Sequence, residues 1–204
     1  YENKNLVELT LGNNALLKTI DVRNCTALTQ SVDVSGCTNV EEIYFDNTAI
    51  TGLSLPNGGS LKKLHLPETV VNLTLRNQTA LTEFEIPSFS NVTTLWLENN
   101  SNIIDPMAIL EEIPEKSRVR ITGFDWSFDD PEDILSFYDL LDTMRGMDEN
   151  GNNVDKAQVS GTVRVDSITG AQLGEMMSKY PSITVVYNNI ICKNKIFSFI
   201  VCCF

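Results

Sequence analysis

From Leu6 to Leu97 the chain repeats one phrase: apolar, two variable residues, apolar, one variable residue, apolar. It reads Leu6-Leu9-Leu11, Leu17-Ile20-Val22, Val40-Ile43-Phe45, Ile50-Leu53-Leu55, Leu61-Leu64-Leu66, Val70-Leu73-Leu75, Leu81-Phe84-Ile86 and Val92-Leu95-Leu97. A further copy, at Val32 and Val34, has its first apolar residue, Leu28, displaced by one position. The middle apolar residues of successive copies are 9 to 12 positions apart. In an extended chain, apolar-x-apolar puts two side chains on one side and x on the other, so each copy predicts a short strand. The gaps hold turn residues: Gly12-Asn13-Asn14, Asn24, Gly36, Asn47, Asn57-Gly58-Gly59, Asn77 and Asn99-Asn100.

A step of 11 is too short for one full leucine-rich coil, which takes about 20–29 residues. The unit is therefore about 22 residues, with two short strands per coil on opposite faces. The phrases CTALTQ and NTAITG begin at 25 and 47, one coil apart, and QTALTE begins at 78. This sorts the strands. Those at 9–11, 32–34, 53–55, 73–75 and 95–97 form one face, and those at 20–22, 43–45, 64–66 and 84–86 form the other.

After Asn100 the rhythm changes. IDPMAILEEIP reads as a short helix with Pro106 in its first turn. RVRITG is a strand. DDPEDILSFYDLLDTMRG is an amphipathic helix with Asp129 or Asp130 as cap and Arg145-Gly146 at its end. MDENGNNVDKAQ is a loop, GTVRVD a strand, TGAQLGEMMSKYP a helix stopped by Pro181, and SITVVYN a strand. Alternating strands and helices predict parallel strands joined by crossovers. These strands, at 119–121, 163–165 and 183–185, would extend the first face and cap the repeat core.

The repeat over about residues 6–100 resembles the leucine-rich-repeat proteins, in the compact bacterial, internalin-like subtype. The stretch ITGFDWSFDD through LLDTMRGMDENGNNVDKAQVSGTVRVD is similar to segments that follow such repeats in tail or structural proteins of gut bacteriophages and in related bacterial surface proteins. The resemblance implies an α/β repeat solenoid with a role in attachment or assembly. The expected organisation is a solenoid over 1–102, a strand–helix extension and cap over 103–189, and an atypical hydrophobic tail over 190–204. The tail's uncharged run, Ile196 to Phe204, is too short to span a bilayer, so a buried or disordered tail or a sequence artefact is expected rather than an anchor. The start at Tyr1 reads as that of a fragment.

A net charge of −12 leaves no basic footprint for nucleic acid and disfavours an anionic membrane surface. His65 is the only histidine, so a histidine-based triad or a metal site needing two histidines is excluded within one chain. There is no Gly-x-Ser-x-Gly and no phosphate-binding glycine loop. Glu41, Glu42, Glu83 and Glu85 read as solvated charge, and His65 as an exposed strand residue. Asp148, Asn150 and Asn152 alternate as calcium ligands do, but Gly151 and Val159 stand at the wrong places for an EF-hand loop. Asn-x-Ser/Thr triplets at Asn24, Asn72, Asn77, Asn91 and Asn99 follow from the repeat's own turn composition. Cys25 and Cys37 each fall three residues after a strand's last apolar residue, the slot that Asn14 and Asn100 fill in other copies, and the resemblance to leucine-rich repeats implies that it is the inward turn position. They lie half a coil apart, so free, buried thiols are expected rather than a disulfide or zinc pair.

No enzyme activity, cofactor or metal is therefore expected, and binding falls to the outward positions of the strands. On the first face Thr74, Arg76, Trp96, Glu98, Arg118, Arg120 and Arg164 form the candidate patch, since Trp and Arg are favoured interface anchors. The loop GFDWSF is the element expected to cover Trp96 if anything does. On the other face Asp21, Tyr44, Lys62, His65 and Glu85 form a second patch. The expected function is a recognition or adhesion module for a protein or glycan, extracellular, on a cell surface or on a virion. Its neighbours would be surface or virion proteins. The alternative is a structural spacer in the same setting.

Overall fold

The computed structural model describes residues 2–100, 106–128, 130–165, 167–187 and 190–192. Eight strands come first: β1 (Thr19–Asp21), β2 (Val32–Asp33), β3 (Glu42–Tyr44), β4 (Leu53–Ser54), β5 (Lys63–His65), β6 (Asn72–Arg76), β7 (Glu83–Glu85) and β8 (Thr94–Glu98). Then come α1 (Pro106–Glu112), β9 (Arg118–Phe128), α2 (Pro131–Asp142), β10 (Arg145–Met147), β11 (Asn153–Val154), β12 (Gln158–Val165), α3 (Gly170–Lys179), β13 (Ile183–Tyr187) and β14 (Ile190–Cys192). Among the described residues the protein is mixed α/β, with parallel sheets, few helices and no closed barrel.

Strands β1, β3, β5 and β7 pair in parallel in that order, forming a four-stranded sheet. The alternate strands lie in other sheets. Strand β2 pairs with β4, and a single bridge from Gly52 to Asn72 leads on to β6. An eight-stranded sheet then runs β6, β8, β9, β12, β13, with β14 antiparallel at its edge and the β10–β11 hairpin beside the start of β9. The alternation follows from the period-two pattern: Ile43, Leu64, Leu73 and Leu95 point inward and are buried, while the residues flanking them, apart from buried Thr94, are at least partly exposed. One apolar core runs from Ile20 to Val185.

The turns between strands are built by the residues the repeat supplies. Asn24, Asn47, Asn77 and Asn99 take positive φ of 54–62°, a conformation Asn tolerates better than most residues. Their side chains form a ladder: Asn47 donates to Asn24, Asn77 to Asn57 and Asn99 to Asn77. Inward turn positions satisfy backbone carbonyls. Asn100 Nδ2 donates to Leu75 O at 2.6 Å, and Gln78 Nε2 to Pro56 O at 2.6 Å. Cys25 and Cys37 occupy equivalent places, buried and unpaired, and the Cys37 thiol faces Gly12 O at 3.8 Å.

Helices α2 and α3 carry the caps their sequences announce. Asp130 accepts from the Glu132 amide, and Thr169 forms a reciprocal capping box with Gln172. Helix α2 packs on both its neighbours and buries Ile134, Phe137, Tyr138 and Leu141.

Several expected boundaries move. Residues 9–11 form no strand, and their apolar side chains stay partly buried at the end of the array. Residues 124–128 continue β9 rather than forming a loop. A bulge makes this possible. Gly123, at φ +69°, adds one residue opposite Ser160 and Gly161. It switches the buried set from Val119 and Ile121 to Phe124, Trp126 and Phe128. Helix α2 stops at Asp142, capped by Thr143, because Arg145 already pairs alongside β9. The turn-rich stretch from 147 to 158 contains β11. Of the tail, Ile190–Cys192 form β14, and the expected run 196–204 lies outside the described residues.

Candidate functional site

The outward positions of β6, β8 and β9 meet in register as Thr74, Trp96 and Arg120, with Arg76, Glu98 and Thr122 in the next row. Strand pairing thus brings six of the seven first-patch residues onto adjoining strands. Trp96, half-buried, lies between two cations. The Arg76 guanidinium sits 4.7 Å from its ring centroid and that of Arg120 5.7 Å. Cations over an indole face are attracted by its quadrupole.

Each arginine is also held. Arg76 Nε donates to Glu98 Oε2 at 2.7 Å. Arg118 donates to Thr94 Oγ1 at 2.8 Å and to Asn153 Oδ1 at 3.2 Å. Arg120 Nη1 reaches Met147 O at 3.5 Å. Trp96 Nε1 and Arg120 Nε are buried without a hydrogen-bond partner among the described residues. The element beside Trp96 is not GFDWSF but the turn of the β10–β11 hairpin: a Cβ on Gly151 would stand 3.7 Å from the indole Cζ3.

That turn is organised by Asp148. Its carboxylate accepts from the amides of Asn150 and Asn152 at 2.8 and 2.9 Å, and from the Asn152 side chain at 2.9 Å. The Asn152 bonds, helped by nearby Arg120, hold its pKa below the usual range. The alternating Asp148, Asn150 and Asn152 therefore fold as a carboxylate-centred turn.

Arg164 does not join the patch. The register sets Gln158, not Arg164, beside Arg120. Arg164 lies six residues further along β12, about 20 Å away at strand rise. There it forms a two-toothed pair with Asp125, both bonds 2.8 Å. The expected Trp96–Arg120–Arg164 row assumed that the centres of the apolar triplets align. The length of β9 and its bulge set a different register. On the other side of Arg76, a groove of about 320 Å³ is lined by Ser54, Pro56, Asn57, Asn72 and Thr74.

On the four-stranded sheet the second patch is assembled by Asp21, Tyr44, His65 and Glu85, in register across β1, β3, β5 and β7. Arg23 grips Asp21 with two bonds of 2.9 and 2.6 Å and lies 5.0 Å from the Tyr44 ring. Tyr44 meets His65 edge-on at 4.9 Å. His65 is not the exposed residue expected, for only 15% of its side chain is accessible. Its Nε2 lies 2.9 Å from Glu83 Oε1, while Nδ1 faces Asp46 Oδ1 and Glu85 Oε2, each at 3.5 Å. Lys62 stands apart and, with Lys18, clamps Glu41, whose pKa falls to about 2 under those two ammonium groups. Asp46 and Glu83 were missing from the sequence-based patch. Asp46 is the next outward position after Tyr44, one step beyond the apolar triplet, and that period-two step is the signal that could have found it.

No helix among the described residues is long and apolar enough to cross a membrane. Comparison with protein-family profiles, with curated proteins and with solved structures finds no match to this chain.

Proposed function

We propose that this chain is a non-enzymatic recognition module, built as a leucine-rich-repeat α/β solenoid, that binds a protein or glycan on the outward face of its long sheet. The observation that carries this reading is the half-buried Trp96 ring between Arg76 and Arg120, with an open groove on the far side of Arg76. An indole flanked by guanidinium groups offers a stacking surface for a sugar ring or apolar side chain, and charge for a carboxylate. The setting proposed is extracellular, on a cell surface or a virion, within a larger surface or phage-tail protein. The partners proposed there are neighbouring surface or virion proteins, with neither nucleic acid nor membrane insertion.

The test compares wild type with Trp96→Ala and Arg120→Ala for binding to bacterial cells and to a glycan array. Truncating a central anchor is expected to weaken binding by about 2 kcal/mol or more, about thirty-fold. Unchanged binding by both variants would move the site elsewhere.

One observation favours the second reading, a structural spacer. Arg76, Arg118 and Arg120 already hold partners inside the protein, so part of this charge serves the sheet itself. Under that reading a pull-down finds every partner on flanking domains and none on this chain.

A further inference from the structure

The chain's single histidine, on β5, lies at the centre of three carboxylates, two from β7 and one from the turn that follows β3. Glu83 and His65 face each other across β7 and β5 at 2.9 Å through Nε2. An ionised carboxylate only accepts, so Nε2 carries the proton of that bond. In the neutral ring this leaves Nδ1 as a lone pair, 3.5 Å from both Asp46 Oδ1 and Glu85 Oε2. Three acceptor atoms thus converge, all within 4.8 Å of one another. At 3.5 Å neither carboxylate is in hydrogen-bond contact with Nδ1. The other Asp46 oxygen, Oδ2, is buried without a partner among the described residues.

Acceptors that converge within 4.8 Å of one another, with one Asp46 oxygen left without a partner among the described residues, call for a cation. The geometry points to a divalent transition-metal site with His65 Nδ1, Asp46 and Glu85 as ligands. Donor atoms sharing an ion about 2.1 Å away stand about 3.0–3.4 Å apart. Both His65–carboxylate distances, 3.5 Å, are close to that. Only the Asp46–Glu85 gap must close, and the Glu85 side chain, 65% exposed, is free to swing.

The orientation of the ring supports the assignment. A metal-bound imidazole commonly donates its other N–H to a carboxylate, which fixes the tautomer and raises the basicity of the ligating nitrogen. Glu83 occupies that position, and Lys63 holds its second oxygen at 2.9 Å. Tyr44 packs edge-on against the ring and restricts its rotation. One imidazole and two carboxylates suit Zn²⁺ or Mn²⁺ better than calcium, which takes oxygen ligands alone. With the Glu85 side chain 65% exposed, water or a partner's carboxylate would complete the shell. Having one histidine excluded only sites that need two.

The chain, stripped with chelator, is titrated with Zn²⁺ and separately with Mn²⁺ while the imidazole nitrogens are followed by NMR. With a single histidine the signals need no assignment, and zinc captured by cysteines elsewhere leaves them unmoved. Zn²⁺ is expected to shift Nδ1 while Nε2 keeps its proton, and Mn²⁺ to broaden the same resonances. Asp46→Asn combined with Glu85→Gln should weaken binding by about a hundred-fold, and Glu83→Gln by about ten- to a hundred-fold. Glu111→Gln, on the exposed side of α1, should bind as wild type does. The proposal fails if the imidazole signals stay unchanged at millimolar metal. It also fails if the double variant binds as wild type does, or if both ring nitrogens stay protonated at neutral pH whether metal is present or not. That last outcome would make the site an imidazolium caged by carboxylates.

Discussion

At the scale of single residues, the inward turn positions show how a side chain can replace missing backbone pairing. Gln78 is 1% exposed, and its amide donates to Pro56 O at 2.6 Å and Arg76 O at 3.1 Å. Gln78→Leu keeps most of the volume but strands those carbonyls, so it should cost about 1–3 kcal/mol. Urea denaturation measures this, and an unchanged midpoint would mean that the carbonyls find other donors. Glu41 makes the opposite case, at a partly exposed position. Its pKa is lowered from 4.5 to about 2 in the folded protein by Lys18 and Lys62. A depressed folded pKa means its contribution to stability is present above about pH 4.5 and is lost as pH falls through about 2. Carboxyl NMR should therefore find Glu41 titrating near 2, and Lys62→Gln should move that midpoint upward. A midpoint that stays put would show that Lys62 does not hold the carboxylate in solution. The burial of the cysteines was legible because their slot recurs within the chain, filled by Asn14 and Asn100 in other copies, and because the resemblance to leucine-rich repeats marked that slot as inward. The surroundings of His65 were not, because they come from Asp46, Glu83 and Glu85, about twenty positions away, through strand register.

Among the elements, β9 depends most on one residue. Its alternation changes parity at Gly123, and a Cβ placed there would stand 1.8 Å from Asn99 Oδ1. Gly123→Ala therefore meets both a left-handed backbone and a clash with the asparagine ladder. The expected cost is about 1–3 kcal/mol, read as a lower thermal midpoint. Asn99→Gly relieves the clash alone. If Gly123→Ala costs as much in that background, the backbone conformation is the whole effect. The same bulge explains what could be read from the pattern and what could not. Short strands with period-two alternation were legible from 20 to 98, since each lies within one parity. Across Gly123 the apolar set changes from odd to even positions, and an unbroken alternation cannot be followed through it. The hairpin β10–β11 was hidden for another reason. Arg145, Gly146, Asn153 and Val154 have no strand pattern of their own, and they pair because β9 offers an open edge there. The first patch inherits both effects. Trp96, Arg118 and Arg120 lie before the bulge and come together on adjoining strands, whereas Arg164 pairs beyond it.

For the whole molecule, the question is whether the strand-rich and helix-rich halves behave as one cooperative unit. The apolar core is continuous from Leu28 and Leu64 through Leu95 and Val119 to Phe137 and Val185. Strand β8 pairs with β6 on one side and β9 on the other, so backbone hydrogen bonds cross the junction as well. Contiguous packing of this kind couples neighbouring repeats, and in a short array the coupling favours all-or-none unfolding. Trp126 gives a local probe of the helix-bearing half: it stacks on Phe124 at 4.2 Å and meets Phe137 edge-on at 5.6 Å. In a Trp96→Phe background its fluorescence reports that half alone, while far-UV circular dichroism reports the whole chain. Leu64→Ala, at a fully buried position in the strand-rich half, should cost about 2–5 kcal/mol through lost contacts and the cavity it leaves. In a single cooperative unit the Trp126 transition shifts by as much as the dichroism does, although the substitution lies on a different sheet. If the fluorescence midpoint stays in place while the dichroism splits into two steps, the halves are separate folding units, and the β8–β9 junction transmits little of the stability of either.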